Sequence, residues 1–87
     1  MPRFHLHLIN AIGVVPDEEG QEFDDLSAAR EEAILGIRSL IAEDASTGVV
    51  DLGGRIEIAD RDQRVVMIVP FADAVEVRLD PGSSAIS

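Results

Sequence analysis

The sequence predicts an α+β fold: a small antiparallel sheet in ββαββ order, with one long helix packed on one face. Two observations carry most of this. Arg3 to Ile9 alternates, with Phe4, Leu6 and Leu8 pointing one way and Arg3, His5, His7 and Ile9 the other. Further along, Leu26, Ala29, Ala33, Ile34, Ile37, Leu40 and Ile41 share one side when residues are placed 100° apart. A third observation is the segment 55–69, which reads as two extended runs around Asp60-Arg61-Asp62-Gln63, a hairpin tip. Eighty-seven residues hold one domain, assigned to 1–79, with 80–87 (opening Asp80-Pro81-Gly82-Ser83-Ser84) expected to be a flexible tail.

Each element has its own local reason. The first strand ends at Asn10–Gly13, which supplies turn chemistry, and Val14-Val15 begins a second strand. Pro16 has no N–H to donate, so that strand is broken or lies on an edge. Asp17-Glu18-Glu19-Gly20 reads as a tight, solvated acidic turn in which Gly20 is free to take positive φ, and Gln21–Phe23 resumes extended structure. Asp24 or Asp25 caps the helix, which is expected from Leu26 to Ala45 with Thr47-Gly48 as the stop. Gly36 interrupts it at a cost of about 1 kcal/mol relative to Ala, which suggests close approach by a neighbour. Gly53-Gly54 reads as flexible entry to the Arg55–Ala59 strand. Pro70 ends the following strand, Phe71–Ala74 makes a short helical turn, and Val75, Val77 and Leu79 permit one more extended piece.

The strand before Pro70 does not alternate. Val65, Val66, Met67, Ile68 and Val69 are all apolar, the pattern of a strand covered on both faces. One helix covers only one face of a sheet. The other is expected to be covered either by residues 71–79 folding back or by a second copy. Because closed twofold dimers are the commonest oligomers, a homodimer is the expectation. Its interface is placed at Val65, Met67, Val69 and the exposed helix residue Leu35.

Charge narrows the function. Seventeen acids against seven arginines give a net charge of −10, which repels phosphate backbones and anionic membrane surfaces. No nucleic-acid or membrane partner is expected. The longest apolar run is far too short to span a bilayer and the start has no signal-peptide pattern, so a cytoplasmic location is expected. With 46% hydrophobic residues the chain nevertheless folds. The absence of cysteine removes disulfides, thiolate metal ligands and thiol nucleophiles together.

Candidate chemistry is sparse. His5-x-His7 places two imidazoles on one face of a strand, the spacing of a shared metal, but two ligands are half a zinc site. The pair reads as two polar residues on the solvated side of an edge strand, and no metal or cofactor is expected. The Asp17–Gly20 carboxylates lack the ligand spacing of a calcium loop. Gly53-Gly54-Arg55 precedes a strand, whereas phosphate-cradling glycines precede a helix. No serine sits in a Gly-x-Ser-x-Gly elbow, and Glu31-Glu32 lies on the solvated helix face. Arg30 and Arg38 have no acid three or four residues away and are left for partners on other elements. The chain is expected not to be an enzyme.

Met1-Pro2-Arg3-Phe4, Val14-Val15-Pro16-Asp17-Glu18-Glu19-Gly20 and Ala28-Ala29-Arg30-Glu31-Glu32-Ala33 together resemble a family of short alphaproteobacterial proteins of unknown function. Asp51-Leu52-x-Gly54-Arg55-Ile56-Glu57-Ile58 and Val69-Pro70-Phe71-Ala72-Asp73-Ala74-Val75 extend the likeness to nearly the whole chain. Asn10-Ala11 departs from it, standing where that family has an Asp-Gly-type turn. The resemblance implies a single small domain and no activity, ligand or catalytic residue.

Two functions follow as expectations. The first is a non-enzymatic protein–protein interaction module acting as a homodimer. The alternative is an acidic decoy or antitoxin-like regulator whose carboxylates occupy a basic, nucleic-acid-binding partner.

Overall fold

Alternation at the start of the chain becomes β1 (Arg3–Ile9), and the one further strand expected before the helix is broken into two. In the computed structural model, which describes residues 1–79, β2 (Val14–Val15) and β3 (Gln21–Glu22) both lie against β1. Their register shows them to be two pieces of one interrupted strand. Val15 stands opposite Leu8 and Gln21 opposite Phe4, so residues 16–20 pass over residues 5–7. Then come α1 (Leu26–Thr47), β4 (Arg55–Ala59), β5 (Val65–Pro70) and a 3-10 turn at Phe71–Asp73. The strand order is β2-β1-β4-β5, all pairs antiparallel, with β3 beside β1. The α+β class is as expected; the order is βββαββ because Pro16 and the acidic turn split the second strand.

Asp25 is the N-cap. Its side chain accepts the Ala28 N–H at 2.8 Å, and its backbone is extended. Gly48 ends the helix in the left-handed region at φ 92°, its N–H returning to the Ala45 carbonyl at 3.2 Å. The helix thus runs two residues past the expected Ala45, to the residue before the glycine. Beyond its own stretch of helix backbone, Gly36 has no atom of the described residues within 4 Å of where a Cβ would stand, so close approach by them does not explain it. Gly36→Ala is therefore expected to raise stability by about 0.5–1 kcal/mol, read as a higher denaturant midpoint with unchanged slope.

The first hairpin turns through Ala11-Ile12, closed by reciprocal bonds between Asn10 and Gly13. The Asn10 carboxamide oxygen accepts the Ile12 and Gly13 N–H groups, and neither Ala11 nor Ile12 takes positive φ. An asparagine side chain here organises the turn without a left-handed residue in the loop. At the second hairpin the Asp60 carboxylate accepts from Asp62 and Arg64, and Gln63 takes φ 64°. Just beyond, Ile58 faces Met67 but Ala59 faces Val65, so a bulge inserts Val66 as an unpaired residue.

Burial identifies the helix-covered face. Ala29, Ala33 and Ile37, four residues apart, are buried against Phe4, Ile56, Ile58 and Val69 of the sheet. The two alanines let the helix lie close. Phe23 closes one end, its ring centroid 6.3 Å from that of Phe4, and Phe71 and Ala74 complete the same core. Gly54 is needed for this: a Cβ there would stand 2.8 Å from the Phe71 ring and 3.0 Å from the Ile9 carbonyl. The glycine permits tight packing, where flexible entry was expected.

Two expectations about the last segment are corrected. Residues 71–74 turn to the helix side, where Arg38 Nε donates to the Ala74 carbonyl at 2.7 Å, and so do not cover the open face. Val75, Val77 and Leu79 form no strand. The expected tail, 80–87, lies outside the described residues.

Candidate functional site

The open face of the sheet is built by residues of opposite parity to the core. Cross-strand register puts His5 beside Ala59, His7 beside Glu57 and Glu57 beside Ile68, with Ile9, Arg55 and Pro70 in the next row. His5 and His7 therefore do share a face, as their spacing predicted, but not a solvated one on an edge. β1 is interior to the sheet, flanked by β4 on one side and by β2 and β3 on the other, and His5 is only 6% exposed.

The residues that sequence reasoning missed are those of the loop over the histidines. Asp17 turns inward and bonds through four atoms. Its carboxylate accepts the Leu6 N–H at 3.1 Å and the Gly20 N–H at 3.1 Å. Its carbonyl lies 2.7 Å from His5 Nδ1, and its N–H donates to His7 Nδ1 at 3.0 Å. Arg3 adds a bond from its guanidinium to the Glu19 carbonyl at 2.8 Å. Three alternate side chains of β1, Arg3, His5 and His7, thus grip one loop. The only local signals were Pro16 and Gly20, which mark a break in the strand but not the direction of Asp17.

This network assigns opposite tautomers. A carbonyl only accepts, so His5 Nδ1 carries a proton; His7 Nδ1 accepts an N–H, so its proton sits on Nε2. The rings are near parallel, 15° apart in plane, with centroids 6.1 Å apart. With both Nδ1 atoms engaged, at most the two Nε2 atoms are left as ligands, half of a structural zinc site. Among the described residues no group of three or more His, Asp or Glu gathers to hold a metal.

The remaining site residues divide. Val69 is 2% exposed and belongs to the core under the helix, and Met67 packs against that core. Both are corrected as surface residues: in an alternating strand they share parity with Ile56 and Ile58, whereas the side chain facing outward from the middle of β5 is Ile68. Val65, Val66 and Ile68 are 50%, 43% and 53% exposed, and Leu35 on the helix is 56% exposed. Val65 and Leu35 thus stand in the surface where the sequence put them. Between the β5 rim and β1 the open face is polar, carrying the Arg55–Glu57 ion pair at 2.8 Å. Arg38 finds the Ala74 carbonyl; Arg30 forms no ion pair among the described residues.

Residues 3–72 match the family model described as a domain of unknown function, DUF6894. The chain belongs to this family. The match spans β1 through most of the 3-10 turn and so includes the histidine-held loop, the helix and β5. The chain matches no curated protein and no solved structure. Among the described residues no helix is long and apolar enough to cross a membrane.

Proposed function

We propose that this chain is a non-enzymatic protein–protein interaction module that works as a homodimer in the cytoplasm. The observation that carries the reading is the apolar rim of β5, where Val65, Val66 and Ile68 are left about half exposed on the side the helix does not cover. Fully burying one such side chain is worth about 1.5–3 kcal/mol, a large share of the stability of so small a domain. The polar groups with the most chemical potential are committed to structure. Both histidines hold Asp17 through Nδ1, and Ser46 and Thr47 donate to the carbonyls of Glu43 and Asp44. Sedimentation equilibrium of the full chain at micromolar concentration tests the reading. A mass twice the 9.4 kDa of one chain is expected, and a monomer overturns it.

The alternative, an acidic decoy for a basic partner, draws on a separate observation. Residues 17–25 hold six acids, and Glu18, Glu19, Glu22, Asp24 and Asp25 are exposed on the β2–β3 side, across the sheet from β5. An arginine-rich peptide probe whose affinity falls steeply with added salt would favour this reading. Absence of binding at low salt would sink it.

A further inference from the structure

We infer that two copies of the chain join edge to edge through β5, antiparallel about a twofold axis at Ile68, to make one continuous sheet. The inference rests on the homodimer reading and specifies its surface. Among the described residues β5 has a strand neighbour on one side only, β4. Phe71 N–H donates to the Gly54 carbonyl at 2.9 Å, which fixes the phase of the ladder. Facing residues of an antiparallel pair alternate between exchanging both hydrogen bonds and exchanging none. The bonded pairs are therefore Gly54 with Phe71, Ile56 with Val69, and Ile58 with Met67. Ile68 and Pro70 are the residues whose backbone groups point away from β4, and Pro70 has no N–H to leave unpaired. Between Met67 and Phe71, Ile68 is the one position with both a donor and an acceptor directed outward, and its own copy is a matching partner for both.

Three features favour a second copy at this edge over a face-to-face stack. Stacking on the open face would bury the Arg55–Glu57 ion pair, with the desolvation that entails, whereas edge pairing covers the apolar rim and leaves that pair in place. The run from Val65 to Ala72 is uncharged and is bounded by Arg64 at one end and Asp73 at the other. Antiparallel pairing sets the Arg64 end of each strand beside the Asp73 end of its partner; parallel pairing would set like beside like. The bond from Arg38 to the Ala74 carbonyl puts that flank of α1 on the side where β5 ends. Leu35 lies one turn earlier on this flank, between Glu31 and Arg38.

The chain contains no cysteine, so single thiols can be placed cleanly in the full-length protein. Ile68→Cys and, on the middle of the open face, Glu57→Cys are compared under oxidised glutathione, alongside sedimentation of the parent chain and of Ile68→Lys. A hydrogen-bonded antiparallel pair holds its Cα atoms about 5.5 Å apart, within disulfide reach, so cross-linking at position 68 is expected to exceed that at 57 by about tenfold or more. Two lysines facing each other at the axis are expected to weaken the dimer by about tenfold or more while circular dichroism stays that of the parent. A dimer that cross-links at 57 instead, or that Ile68→Lys leaves intact, overturns edge pairing but not the homodimer. A parent chain that sediments as a monomer overturns both.

Discussion

Ile58→Ala is expected to lower stability by about 2–5 kcal/mol, the range for emptying a large aliphatic site in a core that cannot collapse around it. Ile58 is fully buried on β4, on the core side of the sheet, with Leu6 beside it on β1 and Met67 beside it on β5. Above it lie Ala33 and Ile37 on α1. Strands on both sides and the helix above are tied by backbone hydrogen bonds, so none can move alone to fill the space. In a domain of this size each kcal/mol shifts the melting temperature by about 4–8 °C, and a fall of at least about 8 °C is expected. Thermal melts at one fixed protein concentration check it, since a dimer's melting point depends on concentration. Ile58→Val, removing one methyl, is the control, at about 0.5–1.5 kcal/mol. Equal effects from the two would show that Ile58 is not the central packing residue.

Gly20→Ala has the next largest expected effect, from two independent causes. Gly20 takes φ 70°, and the left-handed conformation costs a residue with a Cβ about 1–2 kcal/mol. The added Cβ would also lie 2.9 Å from the Phe4 carbonyl and 2.9 Å from His5 Cε1. The carbonyl belongs to β1, which is paired on both edges, so the loop must lift away, at about another 1–3 kcal/mol. Lifting would break the bonds from Asp17 to both histidines. Imidazole nitrogen chemical shifts are the direct readout: the parent should show Nδ1–H at His5 and Nε2–H at His7, and the variant should lose that distinction. If the variant keeps both tautomers and the parent's stability, the loop is not held as described.

These residues mark where local pattern sufficed and where it did not. The helix was legible at both ends because Asp25 and Gly48 act on backbone groups within four residues of themselves. β1 was legible because alternation over seven residues leaves one reading. The β5 run hid its register, since five apolar residues in a row carry no parity and the bulge at Val65-Val66 displaces the strand by one residue. Only the pairing of Ile56 with Val69 tells which side chains face the helix. The loop over the histidines was the least legible part. Asp17 sits among acids that point to water, and its partners at residues 5, 6 and 7 are ten or more positions away. Gly54 belongs with it: its neighbours, Ile9 and Phe71, come from opposite ends of the chain.

The interruption between Val15 and Gln21 also bears on how far such a protein can grow. A sheet that adds strands at both borders becomes a fibril, and the usual safeguard is to make one border unusable. Here the far border is split into two-residue pieces and ringed by carboxylates that repel an incoming copy of themselves. In the proposed pair, joining at the opposite border would therefore stop at two chains, with the acidic β2–β3 borders left at the two far edges.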